Sequence, residues 1–241
     1  MPNGKPLECL VIIPAFNEEG SVGQVVENVR SHLPQSDILV INDGSKDRTS
    51  EKARTCGAKV LDLPFNLGIG GAMQTGYKYA HMKGYDIAIQ VDGDGQHDPK
   101  EIEKLLDALE ERNLDMAIGS RFLERSEYPV SRARRIGIVI LSRVISMIVG
   151  YEVTDPTSGF RAVNRRVIRL FSADYPQDYP EPEAIVFLHR HGLHIGEVPV
   201  GMTARCTGES SITWPRSIYY MVKVLLAIFV DCFKRGSPPK E

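Results

Sequence analysis

Cysteine is scarce in this chain: four in 241 residues, at positions 9, 56, 206 and 232, with no Cys-x-x-Cys pair. That scatter excludes a disulfide framework and a zinc site, and it fits a reducing compartment. Long apolar runs are also missing. Ile136–Val149 is interrupted by Arg143, and Ser217–Phe233 carries Lys223. As a helix rising about 1.5 Å per residue, the second stretch reaches roughly 25 Å, short of a bilayer core of about 30 Å. Both stretches read as helices that lie on a membrane, pack in the core or bury in a dimer interface. No secretory leader is expected, because the N-terminus runs straight into a strand. The net charge of −2 gives no global signal for nucleic acid. Internal repeats and low-complexity runs are absent. A hydrophobic content of 42% and a charged content of 25% are ordinary for a globular protein, and the length suffices for one large α/β domain.

Lysine is absent from residues 121–170, although that stretch carries ten arginines against four acids. Residues 1–120 are the reverse, with 12 basic and 19 acidic side chains. An excess made only of arginine suggests bidentate anion recognition, since guanidinium matches phosphate geometry better than ammonium does.

Residues 7–13 have the pattern of a buried strand that ends at Pro14. Val22, Val25, Val26, Val29 and Leu33 then follow helical spacing up to Pro34. Further strands are expected at 37–42, 59–63, 86–91 and 115–119, with helices between them. Ser45 is the expected N-cap of a helix from Asp47 to Cys56, and Asp98-Pro-Lys-Glu101 is a capping box. This β-α alternation implies a Rossmann-like α/β fold: a mostly parallel sheet flanked by helices, followed by amphipathic or apolar C-terminal helices. Residues 1–212 read as one domain, a 1–120 half for the ligand and a 121–212 half beyond it. Residues 213–241 form an apolar helix and a polar tail. In the second half, a helix is expected over 131–149, a short strand within 155–163, helices at 164–171 and 183–191, and a strand at 194–200. His189, His191 and His194 fall near a helix end and a strand start and read as surface residues.

In such sheets ligands bind at the carboxyl ends of the strands. Asn17-Glu18, Asp43, Asn66 and Asp92/Asp94 all fall there. Two carboxylates as close as Asp92 and Asp94 repel unless a cation or a proton lies between them. Oxygen ligands completed by the Gln96 amide suit Mg²⁺ or Mn²⁺ rather than Zn²⁺. Such an ion would bridge a diphosphate leaving group. Asp43 reads either as an acceptor for a base or ribose, or as an Asx turn. Asn66-Leu-Gly-Ile-Gly-Gly71 looks like a phosphate-cradling loop without the P-loop lysine.

Pro14-Ala-Phe-Asn17-Glu18-Glu19, Asn42-Asp43-Gly-Ser45, Asn66-x-Gly68-x-Gly70-Gly71 and Asp92-Gly-Asp94-Gly-Gln96 resemble the successive donor-site motifs of glycosyltransferase family 2, with its GT-A fold. Asp155-Pro-Thr-Ser158-Gly159-Phe160-Arg161, Glu197-Val-Pro-Val200 and Arg205-x-x-Gly208-Glu209-Ser210-Ser211 narrow the resemblance to its polyprenyl-phosphate branch, similar to dolichol-phosphate mannose synthases. The resemblance implies inverting, metal-dependent transfer from a UDP- or GDP-sugar to a polyprenyl phosphate. It implies that Pro14, Ala15, Asn17, Glu18, Asp43, Gly70, Asp92 and Gly93 hold the nucleotide sugar, with Arg205 and Ser210 on its phosphates. Asp92, Asp94 and Gln96 would hold Mg²⁺ or Mn²⁺. Two departures stand out: Asn42 replaces the usual first acid of its motif, and Ser211 replaces a usual lysine.

Family members that use a hydroxyl acceptor often carry a Glu-Asp pair at a helix start; here the region reads Tyr179-Pro-Glu181-Pro-Glu183. A lipid phosphate is already anionic and needs cations more than a base. Arg121, Arg132, Arg134 and Arg135 are the expected acceptor-phosphate cations. Asp155, Asp94 and Glu183 are the expected catalytic side chains. Asp155 reads as an acid-base or positioning group, or as a cap of the Ser158–Phe160 turn, and Arg161 reads as its possible partner. A saccharide hydroxyl acceptor in cell-surface polysaccharide synthesis is the alternative. A nucleotidyltransferase is disfavoured because the segment after the first strand is acidic, and a non-catalytic binder because the metal carboxylates are intact. The expected setting is cytoplasmic, peripheral at the cytoplasmic face of the membrane. A homodimer or a membrane-protein partner could engage the C-terminal helix.

Overall fold

β1 (Cys9–Ala15) is apolar along nearly its whole length, and both its faces are covered. Leu10 and Ile12 point into one core, Val11 and Ile13 into the other, as the two-residue period of a strand requires. The computed structural model describes residues 7–123, 132–202 and 223–226. Within them β2 (Asp37–Asn42), β3 (Lys59–Asp62), β4 (Ile87–Gln90), β5 (Met116–Ser120), β6 (Arg161–Asn164) and β7 (Ile195–Pro199) complete one sheet with β1. Its order is β3-β2-β1-β4-β6-β5-β7. β6 runs antiparallel to β4 and β5; the other pairings are parallel.

The helices are α1 (Val22–His32), α2 (Thr49–Thr55), α3 (Gly68–Lys83), α4 (Ile102–Glu111), α5 (Arg132–Val149), α6 (Arg165–Ala173) and α7 (Pro180–Arg190). Val22, Val26 and Val29 of α1, Ala53 of α2 and Leu105 of α4 cover one face. Met73 and Tyr77 of α3, Leu141 and Ile145 of α5, Val167 and Phe171 of α6 and Leu188 of α7 cover the other. α3 can lie flat on the sheet because Gly76 meets Ile12 with no Cβ in between; an added one would overlap its side chain.

The sequence-based boundaries need three corrections. β1 does not stop at Pro14 but continues to Ala15, paired with Asn42. The missing proline N–H is tolerated because the pairing with β4 has already ended at Ile12 and Gln90. α2 begins at Thr49, where Asp47 accepts from the Thr49 amide at 3.0 Å. Ser45 is not its cap; its Oγ accepts from the Asn17 N–H at 2.9 Å. α7 begins three residues earlier than expected, with Pro180 at its first position, where a missing N–H costs nothing.

Candidate active site

β1 and β4 lie side by side where the strand order reverses, and in open α/β sheets the ligand crevice opens at that point. The β1–α1 loop is braced against the β2–α2 loop. Asn17 takes a left-handed φ of 56°. Its Oδ1 accepts from Lys46 N at 2.9 Å, and the Glu18 N–H donates to Thr49 Oγ1 at 2.9 Å. The Glu18 carboxylate accepts from Ser21 Oγ at 2.7 Å. Asn17 and Glu18 therefore build the crevice wall with groups already engaged in the protein.

Asp43 is 4% exposed. Its two oxygens accept from Leu67 N at 2.7 Å and Gly68 N at 2.9 Å, at the start of α3. A carboxylate there satisfies orphan amides and complements the helix dipole. Both Asp43 oxygens thus meet the start of α3. Asn42 bridges two neighbours: its Nδ2 donates to Asp62 Oδ1 at 2.8 Å, and its Oδ1 accepts from Ser45 N at 3.0 Å. Asp62 also accepts from Ser50 and Arg54.

Gly70 has a packing reason of its own. A Cβ there would lie 2.5 Å from Gln177 Cα and 2.6 Å from the Pro176 carbonyl oxygen. The glycine admits the α6–α7 connection. Gly93 has the close approach expected of a crevice floor, since its Cβ would lie 3.0 Å from the Pro14 carbonyl oxygen and 3.4 Å from Ala15 Cβ.

The turn after β4 carries the expected oxygen ligands Asp92, Asp94 and Gln96. Gln90 Nε2 donates to Asp92 Oδ1 at 3.2 Å, and Asp94 Oδ1 accepts from Gln96 N at 3.0 Å. The Asp92 side chain remains 36% exposed. Gly159 roofs it: a Cβ there would lie 3.1 and 3.2 Å from its two oxygens. Among the described residues no cluster of three or more His, Cys, Asp or Glu could hold an ion. Two carboxylates and an amide on one turn fit Mg²⁺ or Mn²⁺, which bind through one or two carboxylates and complete their shell with substrate phosphates.

On the other side of β4, Arg121 and Asp155 form a closed pair. Arg121 Nε donates to Asp155 Oδ2 at 2.6 Å and Nη2 donates to Oδ1 at 2.7 Å. Asp155 is 0% and Arg121 6% exposed. In this structure the Arg121 fork faces the Asp155 carboxylate, and Asp155 is a buried ion-pair partner, an arrangement compatible with the expected positioning role. Arg161 is not that partner. Its Nε and Nη2 donate to the carbonyls of Ser158 and Glu181 at 2.8 and 2.7 Å. This ties the roof over Asp92 to the first turn of α7.

That first turn carries both Glu181 and Glu183. Burial pushes the Glu181 carboxyl above its ordinary range; Arg161 opposes the shift and the charge of Asp92 adds to it. Arg135 is exposed on α5. The side chains of Arg132 and Arg134, and all of Arg205 and Ser210, lie outside the described residues.

The Glycosyl transferase family 2 profile matches residues 10–171. The chain belongs to that family. It is 32% identical over 210 residues to the UDP-N-acetylglucosamine–dolichyl-phosphate N-acetylglucosaminyltransferase of Methanococcus voltae, covering 79% of this chain and 83% of the relative. It is also 32% identical over 218 residues to the undecaprenyl-phosphate mannosyltransferase of Micrococcus luteus, covering 86% and 88%. In fold it is similar to the glucosyl-3-phosphoglycerate synthase of Mycobacterium tuberculosis in complex with phosphoglyceric acid, with a TM-score of 0.74 at 20% identity, covering 96% and 82%.

In this family 2 glycosyltransferase, three further groups shape the crevice and the loop that carries Asp155. Gln90 is an amide inside an otherwise apolar buried strand, which is itself a signal of a polar partner. Gly159 gives no local sign, because what it approaches lies on another strand. Glu197 was visible only as part of a motif. Its carboxylate accepts from Thr154 N and Asp155 N, both at 2.8 Å, and so fixes the loop that carries Asp155.

Proposed function

We propose that this family 2 enzyme transfers a sugar, with inversion, from a UDP- or GDP-sugar to a polyprenyl phosphate. The observation that carries the reading is the Asp92-Gly-Asp94 turn at the strand-order reversal, with Asp92 partly exposed and Asp94 buried, together with an Asp155 that is paired with Arg121. A divalent cation held by Asp92, Asp94 and Gln96 would neutralise charge on the departing diphosphate. The Asp92 carboxylate is oriented by Gln90 under the Gly159 roof, and Gly93 lets the turn sit against Pro14 and Ala15. With Asp155 held in an ion pair by Arg121, an acceptor that is already an anion suits the site better than a neutral hydroxyl.

The cytoplasmic membrane face is part of the same proposal. No helix among the described residues is long and apolar enough to cross a membrane. α5 nevertheless exposes Ile136, Val139, Ile140 and Met147, has Arg135 and Arg143 on that outer side, and contains no acidic residue. Aliphatic groups flanked by arginine support a helix resting on an anionic lipid surface. The proposed docking of the C-terminal helix on a second copy or a membrane protein falls outside the described residues, apart from 223–226.

Incubation with common UDP- and GDP-sugars, Mn²⁺ and a short polyprenyl phosphate tests the reading. A lipid-linked sugar is the expected product; none with any donor would overturn it. Glu181 favours a second reading, a saccharide hydroxyl acceptor, because a half-buried carboxyl on the first turn of α7, tied through Arg161 to the roof over Asp92, can serve as a base. Glu181→Gln would then abolish transfer, whereas transfer to a phosphate would survive it.

A further inference from the structure

His97 is 5% exposed and follows the metal turn directly. Its Nδ1 accepts a hydrogen bond from the Asp92 backbone N–H at 3.0 Å. A neutral ring that accepts at Nδ1 carries its proton on Nε2. That nitrogen lies 3.6 Å from Asp92 Oδ2. The ring stacks on Phe160 with centroids 4.8 Å apart and planes at 21°, and the backbone of His97 forms a bridge with Met202. One side chain thus touches both the main chain and the carboxylate region of Asp92. It is pinned by a residue next to Gly159, which roofs the same carboxylate.

We propose that His97 is a positioning residue for Asp92. It fixes the first peptide of the turn through Nδ1 and holds the carboxylate in its cation-facing orientation through the field of its Nε2–H. It is not itself a ligand, because Nδ1 is occupied and Nε2 carries the proton, leaving no lone pair for a cation. The role rests on the reading that Asp92 helps hold the divalent ion. Groups that orient metal ligands typically alter affinity about 10–100-fold when removed.

Two measurements on the full chain test it. Nitrogen-15 NMR of histidine-labelled protein without metal should show His97 protonated at Nε2 and bare at Nδ1. Calorimetric titration of Mn²⁺ in saturating UDP and, separately, saturating GDP should then compare the wild type with His97→Phe, which keeps the stacking plane but has no acceptor. His97→Asn places an amide oxygen near the Nδ1 position. The expected result is about tenfold weaker Mn²⁺ binding for His97→Phe, with most of the loss recovered by His97→Asn. A ring protonated at Nδ1 would overturn the His97 geometry alone. Undiminished Mn²⁺ affinity in His97→Phe, or no recovery in His97→Asn, would overturn the positioning role. A wild type that binds no Mn²⁺ with either UDP or GDP would overturn the cation reading and this role together.

Discussion

Arg121 encloses Asp155 from one side of the carboxylate to the other, with Nε on Oδ2 and Nη2 on Oδ1. The Arg121 N–H adds a third bond to the same carboxylate at 3.2 Å, and Thr157 Oγ1 receives Nη2 at 2.8 Å. Two residues 34 positions apart, each a separate candidate for the chemistry, form one structural unit between the end of β5 and the loop before β6.

Removing one partner should leave the other charge buried. Arg121→Met or Asp155→Leu alone should each destabilise the fold by about 3–5 kcal/mol, and the double substitution by distinctly less than their sum. Urea unfolding of the three variants measures this. If Asp155 is a base instead, Asp155→Asn should abolish transfer with almost no change in stability.

Gly70→Ala pushes a methyl group into the Pro176–Gln177 backbone. A loss of about 1–3 kcal/mol is expected, as for overpacking in general. Nucleotide affinity per folded molecule should hardly change. A variant of normal stability that no longer binds nucleotide would place Gly70 in the donor site.

Asn42→Asp should act through pH. In the native chain, hydrogen bonds from Ser50, Asn42 and Arg54, offset in part by burial, hold the Asp62 carboxyl below its ordinary range. A lowered folded pKa contributes stability above the unfolded pKa, and that stability is lost as pH falls through the folded value. A second carboxylate at position 42 removes one donor and adds repulsion, so it should raise the pKa of Asp62. The variant should be less stable than wild type near neutral pH, and the gap should close as both carboxyls protonate. Because Asp62 is half-exposed, the expected gap is under about 1 kcal/mol. Thermal unfolding at several pH values from neutral to acidic measures it.

Periodicity made the layered fold legible because each strand and helix shows its buried face locally. β2 follows its apolar run from Asp37 to Asn42, and α1 follows its valines. The crevice at the strand-order reversal was legible as a place, because polar residues cluster where strands end. What the residues do there was less legible. Asp43 caps a helix 24 positions away, Ser45 holds Asn17 from 28 positions away, and Gly70 yields to a backbone more than 100 positions away. Local sequence carries no record of such partners. The Arg121–Asp155 pair escaped for the same reason, since each residue has a plausible catalytic use until its neighbour is known.

The Asp92-Gly-Asp94 turn is tested most directly by calorimetric titration of UDP and GDP, with and without Mn²⁺, into the wild type and Asp94→Ala. One of the two nucleotides should bind the wild type tightly only when Mn²⁺ is present, and Asp94→Ala should lose that metal-dependent binding while remaining folded. Nucleotide binding that is indifferent to Mn²⁺, or equal in both proteins, would contradict a cation held at this turn.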